Sequence, residues 1–155
     1  MKITILAVGR LKERFWKDAV AEYLKRLSAY ADVDIVEVDD IDPAHGGEAA
    51  ARQREAQALI KAIPAGSTTY LLAIEGTHVS SEDIAARFAE RALAGSSHFT
   101  FIIGGSTGVD ESVRRRCDAA ISLGRITLPH NLARVVLVEQ IYRAFKIIKG
   151  EPYHK

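Results

Sequence analysis

The segment HFTFIIGGSTG, residues 98–108, contains an apolar run that ends in a loop with three glycines. A short run rich in Phe, Ile and Thr is typical of a strand, and a helix is expected to start near Asp110. Glycines at the end of a strand let backbone amides approach a ligand, and open α/β sheets bind their ligands at that edge. The segment therefore predicts a strand at 98–103, followed by a candidate ligand loop.

The rest of the chain alternates short β-rich runs with longer segments of helical period, which predicts an α/β fold with a mainly parallel sheet. Further strands are expected at 2–8, 33–38, 68–74 and 119–123. Apolar residues four apart from Phe15 to Tyr30 predict the first helix, and an Ala-rich stretch predicts the second at 48–63. Ser80 and Asp83 predict a capped start for the third helix. The 155 residues suit one domain, 1–155, and loop 40–47 is expected to be a surface connection.

The last helix, expected from Leu132 to Ile148, differs from the others because its apolar residues occupy more than one face. A single sheet cannot cover all of these faces. Either the helix is deeply buried in its own chain or a second subunit covers it, and a small protein favours the second arrangement. We therefore expect a homodimer.

The formal net charge of +1 hides an uneven distribution of charge along the chain. Residues 112–155 carry nine basic and three acidic side chains, and the basic ones include Arg114, Arg115 and Arg116. Such a basic end is typical of a surface that meets a polyanion, although a solvated helix face has the same composition. The tail KGEPYHK, 149–155, adds a phenol and an imidazole, which suit an RNA site; the alternative for the tail is a frayed end.

Several protein classes are excluded by composition. The single cysteine, Cys117, cannot form an internal disulfide or a multi-thiolate metal site, so a reducing cytoplasm is the expected compartment. No apolar run reaches the 18 or so residues that span a bilayer, and the start of the chain resembles a strand more than a signal peptide. The five histidines lack the spacing of metal sites. Neither a membrane nor a metal is expected.

Three loops at strand ends, 72–76, 104–108 and 122–131, could enclose one ligand. The second loop lacks the Lys-Ser/Thr of a P-loop and the GxGxxG spacing of a dinucleotide fold, which argues against an NTPase and a dehydrogenase. By itself a GGxxG loop is as often a tight turn as a cofactor cradle. These residues alone do not identify the ligand.

Three blocks of the sequence resemble a known family. They are MKITILAVGRLK at 1–12, FIIGG at 101–105, and a C-terminal block with TLPH at 127–130, RVVLVEQIYRAF at 134–145 and PYHK at 152–155. The whole chain resembles the small bacterial SPOUT methyltransferases that methylate N3 of a pseudouridine in large-subunit (23S) ribosomal RNA. The resemblance implies an α/β-knot fold with a C-terminal trefoil knot, a homodimer, ribosomal RNA or the ribosome as partner, and S-adenosyl-L-methionine as cofactor.

The resemblance also implies roles for individual residues. Ala73 departs from the family pattern, in which Asp or Glu is common, so a polar contact to the cofactor is missing or supplied elsewhere. A noncatalytic ribosome-binding module of the same fold is the alternative function. The implied cofactor pocket consists of Leu72, Gly104, Gly105, Leu123, Gly124, Arg125, Ile126, Thr127 and Leu128. The candidates for catalysis and the RNA side, with no base assigned among them, are His130, Arg134, Arg143, Tyr153 and His154.

Overall fold

The computed structural model describes residues 1–153, which form five strands and five helices. The strands are β1 (Lys2–Val8), β2 (Asp32–Val38), β3 (Thr68–His78), β4 (His98–Ile103) and β5 (Ala119–Ser122). The helices are α1 (Arg14–Leu27), α2 (Gly47–Ala62), α3 (Ser81–Leu93), α4 (Glu111–Arg116) and α5 (His130–Ile148). The predicted α/β fold is confirmed, and most predicted boundaries lie within two residues of these.

Within residues 1–153, the strands form one parallel sheet in the order β2-β1-β4-β3-β5. Successive residues of β1 point to opposite faces, so Ile3 and Ile5 join one apolar cluster whereas Leu6 and Val8 join another. Helices α1, α3 and α5 contribute to the first cluster, and α2 and α4 to the second. The carboxyl ends of all strands therefore lie at one edge of the sheet, together with the loops after β4 and β5.

The start of α3 confirms the predicted cap. The Ser80 hydroxyl accepts a hydrogen bond from the Asp83 amide at 3.0 Å, and the Asp83 carboxylate accepts one from the Ser80 amide at 2.8 Å. These reciprocal bonds satisfy two amides that the helix leaves free. They also hold the pKa of the Asp83 carboxyl below its ordinary value.

Helix α5 is covered on its main apolar face by its own chain. Leu137, Val138, Ile141, Ala144 and Phe145 are buried in the cluster that α1 and α3 also build. Two further apolar side chains at the end of the helix, Ile147 and Ile148, remain exposed. The expected homodimer stays a prediction.

Strand β3 continues four residues beyond its predicted end. Ile121 of β5 pairs with Leu72 and, after a break in the register, with Thr77 as well. The intervening segment 73–76 therefore leaves the ladder and returns to the same strand. A Cβ on Gly76 would lie 2.8 Å from backbone atoms of Ala120 and Ile121, so this close approach of the chain requires glycine. The trefoil knot that the resemblance implies stays a prediction.

Candidate functional site

A cavity of about 670 Å³ opens at the carboxyl edge of the sheet. Segment 72–75 of β3 and the loops after β4 and β5 line this one cavity. The sequence predicted these three segments as candidates for one shared site, although it placed the first of them in a loop after the third strand. Small-molecule sites are mostly apolar and have volumes of roughly 300–1,000 Å³. Most of the wall here is apolar, with contributions from Leu72, Ile74, Ile103, Val109, Ile121, Leu123, Ile126 and Leu128.

The paired glycines after β4 let their loop pack closely against the protein. A Cβ on Gly105 would lie 3.0 Å from Cγ1 of Val8 and 3.3 Å from Oε2 of Glu55. Neither of these two residues lines the cavity, so they support the loop from behind. A Cβ on Gly104 would lie 2.5 Å from Cγ2 of Val109. A larger residue at either position would displace the wall of the cavity.

Polar side chains lie at two places on the wall. Glu75 follows the apolar part of β3 and forms an ion pair with Arg114 of α4. His130 starts α5, and its Nε2 lies 3.7 Å from the place that a Cβ on Gly9 would take. The ion pair can meet a charged group of a ligand, and the ring nitrogens of His130 can form hydrogen bonds.

Eight of the nine residues of the implied cofactor pocket line the cavity. The exception is Arg125, whose side chain is exposed and is not part of the wall. Ala73 also lines the cavity, and the carboxylate on this strand comes from Glu75, two residues later. That these residues bind a cofactor stays a prediction.

Arg134, a candidate for the RNA side, is completely buried. Its Nη1 donates to Oε1 of Glu37 at 2.6 Å, and its Nη2 donates to the carbonyl oxygens of Val8 and Gly9 at 3.0 and 2.6 Å. Burial lowers the pKa of the guanidinium, and the bond to Glu37 opposes this effect. In this place the side chain does not reach RNA. It holds the end of β1, one helical turn from His130.

Arg143 and Tyr153 lie together, away from the cavity of their own chain. The Tyr153 hydroxyl donates to Oε1 of Glu139 at 2.7 Å, and the guanidinium of Arg143 lies 4.0 Å from the centre of the Tyr153 ring. Burial and then the Glu139 bond raise the pKa of Tyr153. Arg143 follows His130 by 13 residues on α5, which is roughly 20 Å along the axis. The remaining candidate, His154, lies outside the described residues.

Two acidic residues near the site were not among the predicted ones. Glu37 accepts bonds from Arg134 and from the Leu11 amide, the latter at 3.1 Å. Glu55 is buried, and its Oε1 accepts a bond from the Ile41 amide at 3.0 Å, whereas its Oε2 has no partner within the described part of the chain. Desolvation raises the pKa of Glu55. The sequence does contain an indication that Glu55 is buried, because this residue lies four positions from both Ala51 and Leu59 on the apolar face of α2.

No cluster of three or more His, Cys, Asp or Glu side chains in 1–153 could hold a metal ion. None of the helices there combines the length and the apolar character that crossing a membrane requires.

Comparison with known proteins gives full-length matches. A family profile described as "Predicted SPOUT methyltransferase" matches residues 1–154. A protein of Ruminiclostridium cellulolyticum named ribosomal RNA large subunit methyltransferase H is 48% identical over an alignment of 159 positions, which covers 100% of both chains. A protein of the same name from Carboxydothermus hydrogenoformans is 47% identical over an alignment of 161 positions, which again covers 100% of both chains.

A solved structure shares the fold. The structure of a probable methylase family protein from Haemophilus influenzae superposes with a TM-score of 0.56 and covers 99% of this chain and 70% of that chain. Its sequence identity is 10%, so this likeness concerns the fold alone.

Proposed function

The chain belongs to the SPOUT methyltransferase family, and on this premise we propose that it methylates N3 of a pseudouridine in large-subunit ribosomal RNA with S-adenosylmethionine. The names of the two full-length relatives support the substrate class. The observation that carries the proposal is the composition of the cavity wall. Eight of the nine residues that the family resemblance assigns to the cofactor pocket line this cavity. We assign the activity to a single domain, 1–155, acting in the cytoplasm.

The residues present fit S-adenosylmethionine, which has a flat adenine, a ribose and a charged amino-acid end. The apolar wall with Leu72, Ile103 and Leu123 suits the adenine. The ion pair of Glu75 and Arg114 offers both signs of charge at one rim, where the amino-acid end needs them. Gly104 and Gly105 let the loop after β4 pack closely against its neighbours. Arg125 is left outside this set because it does not line the cavity.

The chemistry asks the chain to align the acceptor nitrogen and to take a proton. The bound cofactor supplies a sulfonium methyl group, which is already activated, so no metal is required. Loss of the imide proton from N3 makes the nitrogen nucleophilic, and a positioned imidazole is a common proton acceptor. His130 lines the cavity and is the group that we place in this role.

We assign the tail to the RNA site of a second subunit in a homodimer. Arg143 lies about 20 Å along α5 from His130, and neither it nor Tyr153 lines the cavity of its own chain. The exposed Ile147 and Ile148 at the end of α5 provide apolar surface for the contact between subunits. His154 would extend this contribution.

The test combines cofactor titration with mapping of the modified nucleotide. The protein should bind S-adenosylmethionine and transfer one methyl group to ribosomes that lack the modification, located by mass analysis at a pseudouridine. His130→Ala should lower kcat by about 100-fold or more while the cofactor Kd stays within about threefold. Absence of both cofactor binding and methyl transfer in the wild-type chain would favour the noncatalytic ribosome-binding module.

Mixed dimers test whether the tail acts in trans. A chain truncated after Gly150 and the His130→Ala chain should both be inactive alone. When equal amounts are mixed, half of the dimers are mixed and each has one intact site, so activity should recover to about a quarter of wild type. No recovery would show that the tail serves its own chain.

A further inference from the structure

The segment 10–17, RLKERFWK, exposes an aromatic side chain among cations between β1 and the first turn of α1. Phe15 is 62% exposed, although it is a large apolar residue. Trp16 is half-buried, and the centres of the two rings lie 4.8 Å apart at an angle of 51°. Phe15 therefore contacts the Trp16 ring at the surface and is not part of either apolar cluster.

Four exposed cations lie within five residues of Phe15 in sequence, namely Arg10, Lys12, Arg14 and Lys17. Arg10 and Arg14 form ion pairs with Asp39 and Asp18 at 3.7 and 3.5 Å between exposed side chains. Such exposed pairs are weak and can exchange for another anion.

Folding does not account for these residues. Helix α1 starts without a side-chain cap and with cations in its first turn, an arrangement that the helix dipole disfavours. An exposed Phe also gains little from its own chain. Residues that break local rules without a structural gain are expected at functional sites.

The segment borders the candidate site. It follows Gly9 directly, and the place of a Cβ on Gly9 lies 3.7 Å from Nε2 of His130. The amide of Leu11 donates to Glu37, which also accepts from Arg134. The start of the segment is thus fixed to the first turns of α5, which begins with the cavity-lining His130.

We infer that the 10–17 segment binds single-stranded ribosomal RNA next to the nucleotide to be methylated, with Phe15 stacked on a base and its cations on the flanking phosphates. This inference rests on the proposed function. Aromatic faces stack on any base, and cations beside them follow the backbone of a single strand. A second copy of this chain fits less well, because it would bring the same cations against each other.

The first arm of the experiment changes the ring. Phe15→Ala should weaken binding to unmodified ribosomes and raise the KM for them at least about fivefold, which corresponds to the lower end of measured base–aromatic stacking losses. The kcat and the Kd for S-adenosylmethionine should stay within about twofold, and Phe15→Tyr should behave as wild type. The matched control is Leu93→Ala, which removes a 90% exposed apolar side chain from the end of α3, at the opposite edge of the sheet.

The second arm changes the charges. The triple variant Arg10→Gln, Lys12→Gln, Arg14→Gln should reduce the slope of log affinity against log salt by about two, since each phosphate contact on a single strand adds about 0.7. Lys25→Gln, at the far end of α1, should leave the slope unchanged.

Each contrary outcome has a distinct meaning. An unchanged KM in Phe15→Ala, or an equal loss in Leu93→Ala, would overturn the inference. A shift of Phe15→Ala toward monomer in sedimentation would overturn it in favour of a contact between subunits. If wild type bound ribosomes in a Phe15-dependent way without methyl transfer, the proposed reaction would fail and the RNA surface would stand.

Discussion

Replacing the buried Arg134 by methionine should destabilise the protein strongly. The change keeps most of the side-chain volume but removes one bond to Glu37 and two to the carbonyl oxygens of Val8 and Gly9. Each buried carbonyl left without a partner costs about 1–3 kcal/mol, and breaking a buried ion pair costs about 3–5 kcal/mol in total. Because Glu37 is 30% exposed and can regain water, we expect about 3–5 kcal/mol rather than more.

Thermal and urea unfolding measure this cost. For a chain of this length, about 3–5 kcal/mol corresponds to a fall in Tm of roughly 6–20 °C. Arg134→Lys should fall between the methionine variant and wild type, since one ammonium cannot reproduce the planar fork. In the Arg134→Met background, Glu37→Gln should add less than it costs alone, because the pair is already broken.

The matched control is Arg26→Met, which breaks a 2.8 Å ion pair to Glu22 on the surface of α1. Exposed pairs of this kind contribute up to about 1 kcal/mol. If Arg134→Met cost no more than Arg26→Met, the argument that Arg134 holds the end of β1 would be refuted.

Three further predictions concern Cys117, Glu55 and Gly76. Burial raises the pKa of the Cys117 thiol to about 11, so a thiol reagent at pH 8 should modify it far more slowly in the native than in the unfolded chain. The pKa of Glu55 is raised on folding, chiefly by burial and also by Asp40, so the native state holds this proton longer and stability falls as pH rises above the unfolded pKa. Urea unfolding of Glu55→Gln should therefore show a flatter loss of stability above about pH 4.5 than wild type, and an identical slope would contradict this assignment. Gly76→Ala should lower the free energy of unfolding by about 1–3 kcal/mol in thermal unfolding, because its Cβ would lie 2.8 Å from the backbone of β5. Wild-type stability of this variant would show that β3 and β5 can move apart at Gly76 without cost.

Local patterns predicted the elements because each depends on neighbours in sequence. The short apolar run of β1, the four-residue spacing in α1 and the Ser80 cap each involve residues that are close in sequence. The common edge of parallel strands then predicted that the three loops would share a site. The return of β3 to β5 after Leu72 was missed, since it depends on an approach at Gly76 between segments more than 40 residues apart in sequence.

Arg134 shows why charge in a sequence does not reveal its role. Arginine in a basic C-terminal region suggests contact with RNA, as it did for Arg143. The burial of Arg134 depends on two carbonyls at the end of β1 and on Glu37 of β2. These partners are distant in sequence, and nothing in their own sequence context indicates that they bind an arginine. Conversely, the basic segment around Phe15 lies in the half of the chain whose net charge is negative, so the regional balance concealed it.

The hydrogen bonds of Arg134 connect His130, the proposed proton acceptor, with the 10–17 segment, the proposed RNA surface. Arg134 and His130 lie one turn apart on α5, and Arg134 binds the carbonyl of Gly9, after which the 10–17 segment begins. Glu37 completes this connection, because it accepts from both Arg134 and the Leu11 amide. Any displacement of α5 at its first turns must therefore move the proposed proton acceptor and the proposed RNA surface together. A guanidinium suits this position better than an apolar residue of equal size, because only directed bonds fix both the distance and the orientation of the segment relative to the helix.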